Sequence, residues 1–111
     1  MAPIKPVEFR GTSLEDLRAF PEPMRREAGF QLDRVQHGLE PNDWKPMLTI
    51  GHGVQEIRLR DAAGIFRVIY VAKFVDAIYV LHCFQKKTPK TSPKDLELAA
   101  KRYRDLAQEV R

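Results

Sequence analysis

The middle of the chain carries three successive runs of residues that favour β-strands. In the first, residues 54–60, successive side chains are expected to point to opposite faces, because a strand has a side-chain period of two. The second, residues 65–72, is apolar and rich in β-branched and aromatic residues apart from Arg67. The third, residues 77–84, is apolar at almost every position. Because only short turn-like segments separate the runs, the pattern predicts an antiparallel three-stranded meander whose last strand is buried on both faces.

The residues before this region predict a helical N-terminal half. Residues 7–10 are expected to form a short strand at the edge of the sheet. Ser13 and Asp16 resemble a capping box, which places the start of a first helix just after Ser13. A second helix is expected from about residue 22 to residue 37, because apolar residues recur there at intervals of four and three. Gly38 is its expected C-terminal cap.

The segments that flank the meander complete the predicted fold. A loop precedes it, in which residues 47–50 are expected to form a short strand. After it, Ser92 and Pro93 are an N-cap and a first-turn proline for a final helix. The chain is therefore predicted to be one α+β domain, residues 1–111, in which N-terminal helices pack on a small twisted antiparallel sheet followed by a C-terminal helix.

Composition narrows the class of protein. With 111 residues, 43% hydrophobic and 31% charged, the chain is expected to be a soluble globular domain. No apolar run approaches the length of a membrane span, and the N-terminus lacks the apolar core of a signal peptide, so a cytoplasmic location is expected. The single cysteine, Cys83, excludes an internal disulfide and a multi-cysteine zinc site, and we expect it to be a small buried hydrophobe. No metal and no cofactor are predicted.

Charge is unevenly distributed along the chain. Residues 54–90 hold seven basic and three acidic side chains, an excess equal to the net charge of +4 of the whole protein. The positive charge therefore belongs to the predicted sheet and the segment that follows it. This distribution favours a polyanionic partner.

Three motifs in this region resemble a known family. They are Glu56-Ile57-Arg58 on the first strand, Phe66-Arg67-Val68-Ile69-Tyr70 on the second, and the run from Leu81 to Pro89, LHCFQKKTP. In this order and spacing they resemble the RelE/HigB-type toxins of type II toxin–antitoxin systems, especially the phage-derived branch of the RelE/ParE superfamily. The resemblance covers residues 40–108 well, and the N-terminal helices only by type and order.

The resemblance implies a toxin that inhibits translation as a metal-independent, ribosome-dependent mRNA endoribonuclease (an mRNA interferase). Its expected partners are the ribosome and mRNA, and a cognate helix-turn-helix antitoxin of the Xre/HigA-like type. Operator DNA would be bound only through that antitoxin. Two alternatives remain open: a gyrase-directed inhibitor of the ParE kind without nuclease activity, and a phage-derived nucleic-acid-binding protein.

The resemblance also implies roles for individual residues. Cleavage by the RNA 2′-hydroxyl needs cations around the developing phosphorane, and the basic positions expected to supply them are Arg67, Arg58, Lys87 and Lys86. Further RNA-binding residues are expected to be Arg60, Lys73 and Lys90. Arg67 is expected to point at solvent and to grip the scissile phosphate.

The identity of the general base is left open by the sequence. The acid/base candidates are Glu56, His52 and His82. For His82, a hydrogen-bonded histidine on a buried strand is the favoured interpretation. His52 lies between two glycines and is expected to be more exposed, and Glu56 is expected to pair with Arg58 or with Arg67.

Overall fold

The computed structural model of the protein describes residues 4–110. Its elements, in chain order, are β1 (Val7–Phe9), α1 (Ser13–Arg18), α2 (Glu22–Gln36), β2 (Trp44–Pro46), β3 (Val54–Asp61), β4 (Gly64–Val71), β5 (Ile78–Lys86) and α3 (Pro93–Glu109).

The strands form one five-stranded sheet in the order β1-β5-β4-β3-β2. Strands β3, β4 and β5 are the predicted antiparallel meander, and β2 extends it antiparallel to β3. Strand β1 joins the other edge, as predicted for residues 7–10, but it runs parallel to β5. The expectation of a wholly antiparallel sheet was therefore wrong at this edge. Two helices and three strands separate β1 from β5, so no tight turn requires them to run in opposite directions.

Helices cover the sheet on both faces. Helices α1 and α2 pack against one face, where the core includes Ile57, Leu59 and Val68. Helix α3 packs against the other face, against Val54 and Ile69 among others. Strand β5 contributes buried side chains to both clusters, which confirms the prediction that the last strand of the meander is buried on both faces. The predicted α+β fold is confirmed.

Helices α2 and α3 follow their sequence signals closely. Helix α2 ends at Gln36, and Gly38 follows with a φ of +80°, a conformation that glycine adopts without strain. In α3 the Ser92 hydroxyl accepts a hydrogen bond from the backbone N–H of Asp95 at 3.1 Å, so the predicted N-cap is confirmed.

The predicted cap of α1 was wrong. Thr12 precedes the helix, and its hydroxyl donates to the Asp16 carboxylate at 2.9 Å. Ser13 is the first helical residue, and its buried hydroxyl donates to the carbonyl of Val80 on β5 at 3.2 Å. Ser13 therefore ties the helix to the sheet, because it faces the strand rather than the open end of its own helix.

The predicted strand at residues 47–50 was also wrong. This segment is a turn, in which the N–H of Ile50 donates to the carbonyl of Met47 at 3.0 Å, and the strand lies just before it as β2. Met47 and Ile50 are both buried against the α3 side of the sheet. A strand would have placed positions 47 and 50 on opposite faces, so burying both favours the turn.

Two further findings concern the sequence expectations. Cys83 is buried and unpaired, and burial raises the pKa of its thiol.

Over residues 4–110, no helix is long and apolar enough to cross a membrane.

Candidate anion-binding site on the sheet

Five basic side chains share one face of the sheet. The register places Arg58 on β3 directly opposite Arg67 on β4. Ile65 on β4 is paired with Arg60 on β3 and with Lys86 on β5. Directly paired residues point to the same face, so these cations lie on the face that α3 packs against. Strand β2 adds a fifth, because Lys45 is paired with Glu56. We call this set the cationic face: Lys45, Arg58, Arg60, Arg67 and Lys86.

The cationic face occupies the end of the sheet near the β3–β4 hairpin. Helix α3 packs over the opposite end of the same face, around Val54 and Val71. At the hairpin end Arg60 is exposed, and Arg58 and Lys86 are partly exposed. Like charges directly opposite one another on adjacent strands destabilise a sheet. A surface on which several positive charges nevertheless lie together is suited to binding an anion, because the anion offsets their repulsion.

A buried ion pair lies at the centre of this face. Arg67 is 4% exposed and Glu56 is 1% exposed, and Arg67 Nε lies 3.4 Å from Glu56 Oε1. Nη1 of Arg67 donates to the backbone carbonyl of Phe66 at 3.1 Å. Within the described residues, Arg67 Nε and Glu56 Oε2 have no hydrogen-bond partner. The pair is therefore held mainly by its charges.

The expectation that Arg67 points at solvent was wrong. Arg67 lies on β4, the middle strand of the sheet, with Arg58 on one side and Phe84 on the other. Its neighbours cover the guanidinium, and Glu56 compensates its charge. Of the two partners that the sequence left open for Glu56, the structure selects Arg67.

The cations lower one another's proton affinity. Burial lowers the pKa of Arg67, the charge of Glu56 opposes this effect, and Arg58 and Arg60 reinforce it. Burial also lowers the pKa of Lys86, and the charges of Arg67, Lys45 and Arg58 lower it further, against Glu56. Arginine stays charged at any ordinary pH, whereas a lysine in this environment releases its proton more readily than usual. Lys86 is therefore suited to proton transfer.

The other predicted basic residues lie at different places. Lys87 is exposed beyond the end of β5, where it lines a shallow depression with Ser92 and Asp95. Lys90 is exposed in the loop before α3. Lys73 lies just after the far end of β4, about 20 Å along the strand from Arg67. Its Nζ donates a hydrogen bond to the Tyr103 hydroxyl at 2.9 Å. The structure therefore brings Arg58, Arg60, Arg67 and Lys86 together but not Lys73.

Other contacts hold the two histidines among the acid/base candidates, His52 and His82. The Nε2 of His82 is 2.7 Å from Asp95 Oδ1, and its ring stacks on Phe84 with centroids 5.0 Å apart. This confirms the favoured interpretation of a hydrogen-bonded histidine on a buried strand. His52 is exposed, as expected, but it lies in the turn before β3, where its carbonyl accepts a hydrogen bond from Tyr103.

Lys45 is the member of the site that the sequence did not single out as functional. It lies on a three-residue edge strand, and only the pairing of β2 with β3 places it beside Glu56 and Lys86. Across residues 4–110, no group of three or more histidine, cysteine, aspartate and glutamate side chains is arranged to hold a metal ion.

Comparison with known proteins adds a family. Residues 15–104 match the family described as Phage derived protein Gp49-like (DUF891). The chain belongs to this family. The matched range contains β2, β3, β4 and β5, and so the whole cationic face. Among curated proteins, no relative matches the chain.

The Gp49-like family is related to the toxin families of the RelE type, so membership is compatible with the role of toxin in a toxin–antitoxin pair. Membership assigns neither a RelE/HigB identity nor a nuclease activity.

Proposed function

We propose that this Gp49-like protein is the toxin of a type II toxin–antitoxin module and cuts mRNA on the ribosome without a metal ion. The observation that carries the proposal is the cationic face, in which arginines on neighbouring strands lie directly opposite one another beside a lysine of lowered pKa. Such a surface is arranged for a phosphate, and RNA supplies its own nucleophile, the 2′-hydroxyl.

The proposed reaction divides its tasks among these side chains. The 2′-oxygen attacks the adjacent phosphorus while its proton passes to a solvent water, and the bond to the 5′-oxygen breaks, leaving a 2′,3′-cyclic phosphate and a 5′-hydroxyl. Arg58 and Arg60 are accessible, and their planar guanidinium groups bind phosphate oxygens in pairs. Lys86 donates the proton that the leaving 5′-oxygen needs.

Arg67 has a different part in this proposal because it is buried. It lies directly opposite Arg58 in a site of low dielectric, and its positive charge, reduced by that of Glu56, adds to the potential of the exposed arginines. Glu56 is the acid/base candidate that pairs with Arg67, and its burial separates it from the RNA. We therefore assign Glu56 the role of holding Arg67 in place.

The proposal includes a cognate antitoxin of the Xre/HigA-like type. An exposed cluster of like charges associates readily with an acidic partner, and electrostatic attraction speeds such an encounter. Co-expression with the product of the adjacent reading frame, followed by purification through a tag on one chain, tests this part. Recovery of this chain alone would contradict it.

The nuclease activity is tested by inducing the protein alone and mapping the 5′ ends of cellular mRNAs. New ends are expected within translated regions only, together with arrest of growth and translation. Arg58→Ala is expected to lower the cleavage rate by about 10²–10³, the usual effect of removing a charge-stabilising donor. Lys101→Ala is the matched control, because Lys101 is exposed on α3 and pairs with Asp105.

Two outcomes would overturn the proposal. One is growth arrest without new mRNA ends. If DNA breaks accumulate at the same time, the protein would be a gyrase-directed inhibitor. The other is an Arg58→Ala variant that cuts mRNA at the rate of the Lys101→Ala control.

A further inference from the structure

A groove adjoins the cationic face and continues it across the sheet. It has a volume of about 490 Å³ and lies between β2 with the turn that follows it, the end of β5, and the loop before α3. Three lysines line it, Lys45, Lys86 and Lys90. We call it the lysine groove. It shares Lys45 and Lys86 with the cationic face, so the two surfaces are continuous.

The lining of the lysine groove is positively charged. Within residues 4–110, no carboxylate is among the residues that line it. Within residues 4–110, none of its three lysines forms an ion pair with a carboxylate. The mutual repulsion of these ammonium groups is relieved when an anion enters, so the groove selects for negative charge.

The walls of the groove are apolar and its length suits a chain molecule. Pro46, Met47 and Pro89 supply flat or flexible apolar surface, and the hydroxyls of Thr49 and Thr91 lie among them. Strands β5 and β2 are three strand spacings apart, so the groove crosses about 14 Å of sheet. At about 3.4 Å or more per nucleotide, this distance accommodates about two to four nucleotides of a single strand.

We propose that the lysine groove binds single-stranded RNA, namely the nucleotides next to the phosphate held by the cationic face. The inference rests on the proposed function, because that function makes RNA the polyanion. In this arrangement Lys45 and Lys90 contact backbone phosphates, while the bases lie against the apolar wall. Because no aromatic side chain among residues 4–110 lines the groove, base stacking adds little, and affinity comes mainly from phosphates with weak sequence preference.

The test measures binding in the absence of cleavage. A fluorescein-labelled oligouridylate of 12 nucleotides with 2′-O-methyl groups, which cannot be cut by 2′-hydroxyl attack, is titrated with the protein at several KCl concentrations while anisotropy is recorded. For single strands, the slope of log affinity against log salt changes by about 0.7 per phosphate contact. Lys45→Ala and Lys90→Ala are each expected to reduce the slope by about 0.7, and the double variant by about 1.4.

The matched control is Lys94→Ala. Lys94 is exposed and only four residues from Lys90, but it lies in a different depression with Asp16. It removes the same charge and is expected to leave the salt slope unchanged. Because Lys45 and Lys90 are also exposed, circular dichroism should show that all three variants fold as the wild type does.

Three results would overturn the inference. The first is an unchanged salt slope for the Lys45 and Lys90 variants. The second is an equal reduction for Lys94→Ala, which would show a general effect of net charge. The third is RNA binding that matches the wild type while co-purification with the product of the adjacent reading frame is lost, which would make the groove a protein-docking surface.

The same variants separate this inference from the proposed function. If mRNA is cut in cells but the slopes do not change, the groove proposal fails and the nuclease proposal stands. If the slopes change as expected but no mRNA is cut, the groove binds RNA and the nuclease proposal fails.

Discussion

Removing either member of the Glu56–Arg67 pair should destabilise the fold, and removing Glu56 should cost more. Both side chains are almost fully buried, at 1% and 4% exposure, and they lie in the middle of the sheet. Replacing Arg67 with methionine leaves a buried carboxylate, which can take up a proton. Replacing Glu56 with leucine leaves a buried guanidinium, which cannot lose its charge.

The magnitude follows from the burial. Breaking a buried ion pair by removing one partner typically costs about 3–5 kcal/mol. Glu56→Leu is expected near the upper end, because Arg67 would then lie opposite Arg58 without the carboxylate that compensates its charge. Arg67→Met is expected near the lower end, because it also removes a like charge opposite Arg58. For a chain of this length, these losses correspond to a decrease of about 10–20 °C in Tm.

The double variant Glu56→Leu/Arg67→Met completes the cycle. A buried ion pair can often be replaced by apolar side chains at little cost, so the double variant is expected within about 2 kcal/mol of the wild type. The two single losses together come to at least about 6 kcal/mol, so the coupling free energy between the two positions should exceed about 4 kcal/mol. Urea titration followed by circular dichroism measures the free energies of unfolding, and Arg60→Ala, an exposed position, is the control expected within about 0.5 kcal/mol.

Two results would refute this reasoning. Additive losses in the double variant would mean that the two charges do not compensate each other. A loss below about 1 kcal/mol for Arg67→Met would mean that Arg67 is a surface residue, as the sequence alone had suggested.

Three further predictions concern other parts of the site and the fold. The pKa of Lys86, measured by NMR of labelled lysine side chains, should lie below the usual value of 10.5. It should rise in Arg58→Ala, because the charge of Arg58 lowers it, and an unchanged pKa in that variant would contradict the electrostatic account. Cys83 should react with a thiol reagent such as DTNB only on unfolding, since its thiol is buried and its pKa is raised; rapid reaction of the folded protein would count against this burial. Ser92→Ala should cost about 1 kcal/mol in unfolding experiments, because it removes the cap of α3, whereas Ser92→Thr, whose hydroxyl can also accept from the Asp95 N–H and donate to the Asp95 carboxylate, should cost much less.

Much of the fold was predictable because its signals are local. The alternation along β3 and the apolar run of β5 are properties of a few consecutive residues, and they predicted the meander. The ends of α2 and the start of α3 were predictable for the same reason, since Gly38 and Ser92 act on the backbone next to them. The cap of α1 was not, because the hydroxyl of Ser13 binds a strand that is distant in sequence.

The sequence also predicted that Arg58, Arg60, Arg67 and Lys86 share a face, although it included Lys87, which lies beyond the end of β5. Arg58 and Arg60 have the spacing of one side of a strand, and a meander brings Arg67 and Lys86 beside them. These relations need only the side-chain period and the order of the strands. The family match is compatible with a toxin role and leaves the individual residues to be tested.

Only the tertiary structure decided how exposed each cation is and which others join it. The side-chain period of two assigns a side chain to one face of the sheet. It does not say whether a helix or a neighbouring side chain covers that side chain. Arg67 is buried because it lies on the middle strand beside Glu56, and Lys73 is separated because it follows the far end of the same strand. Lys45 joins the site through the register in which β2 pairs with β3, and no local pattern encodes that register.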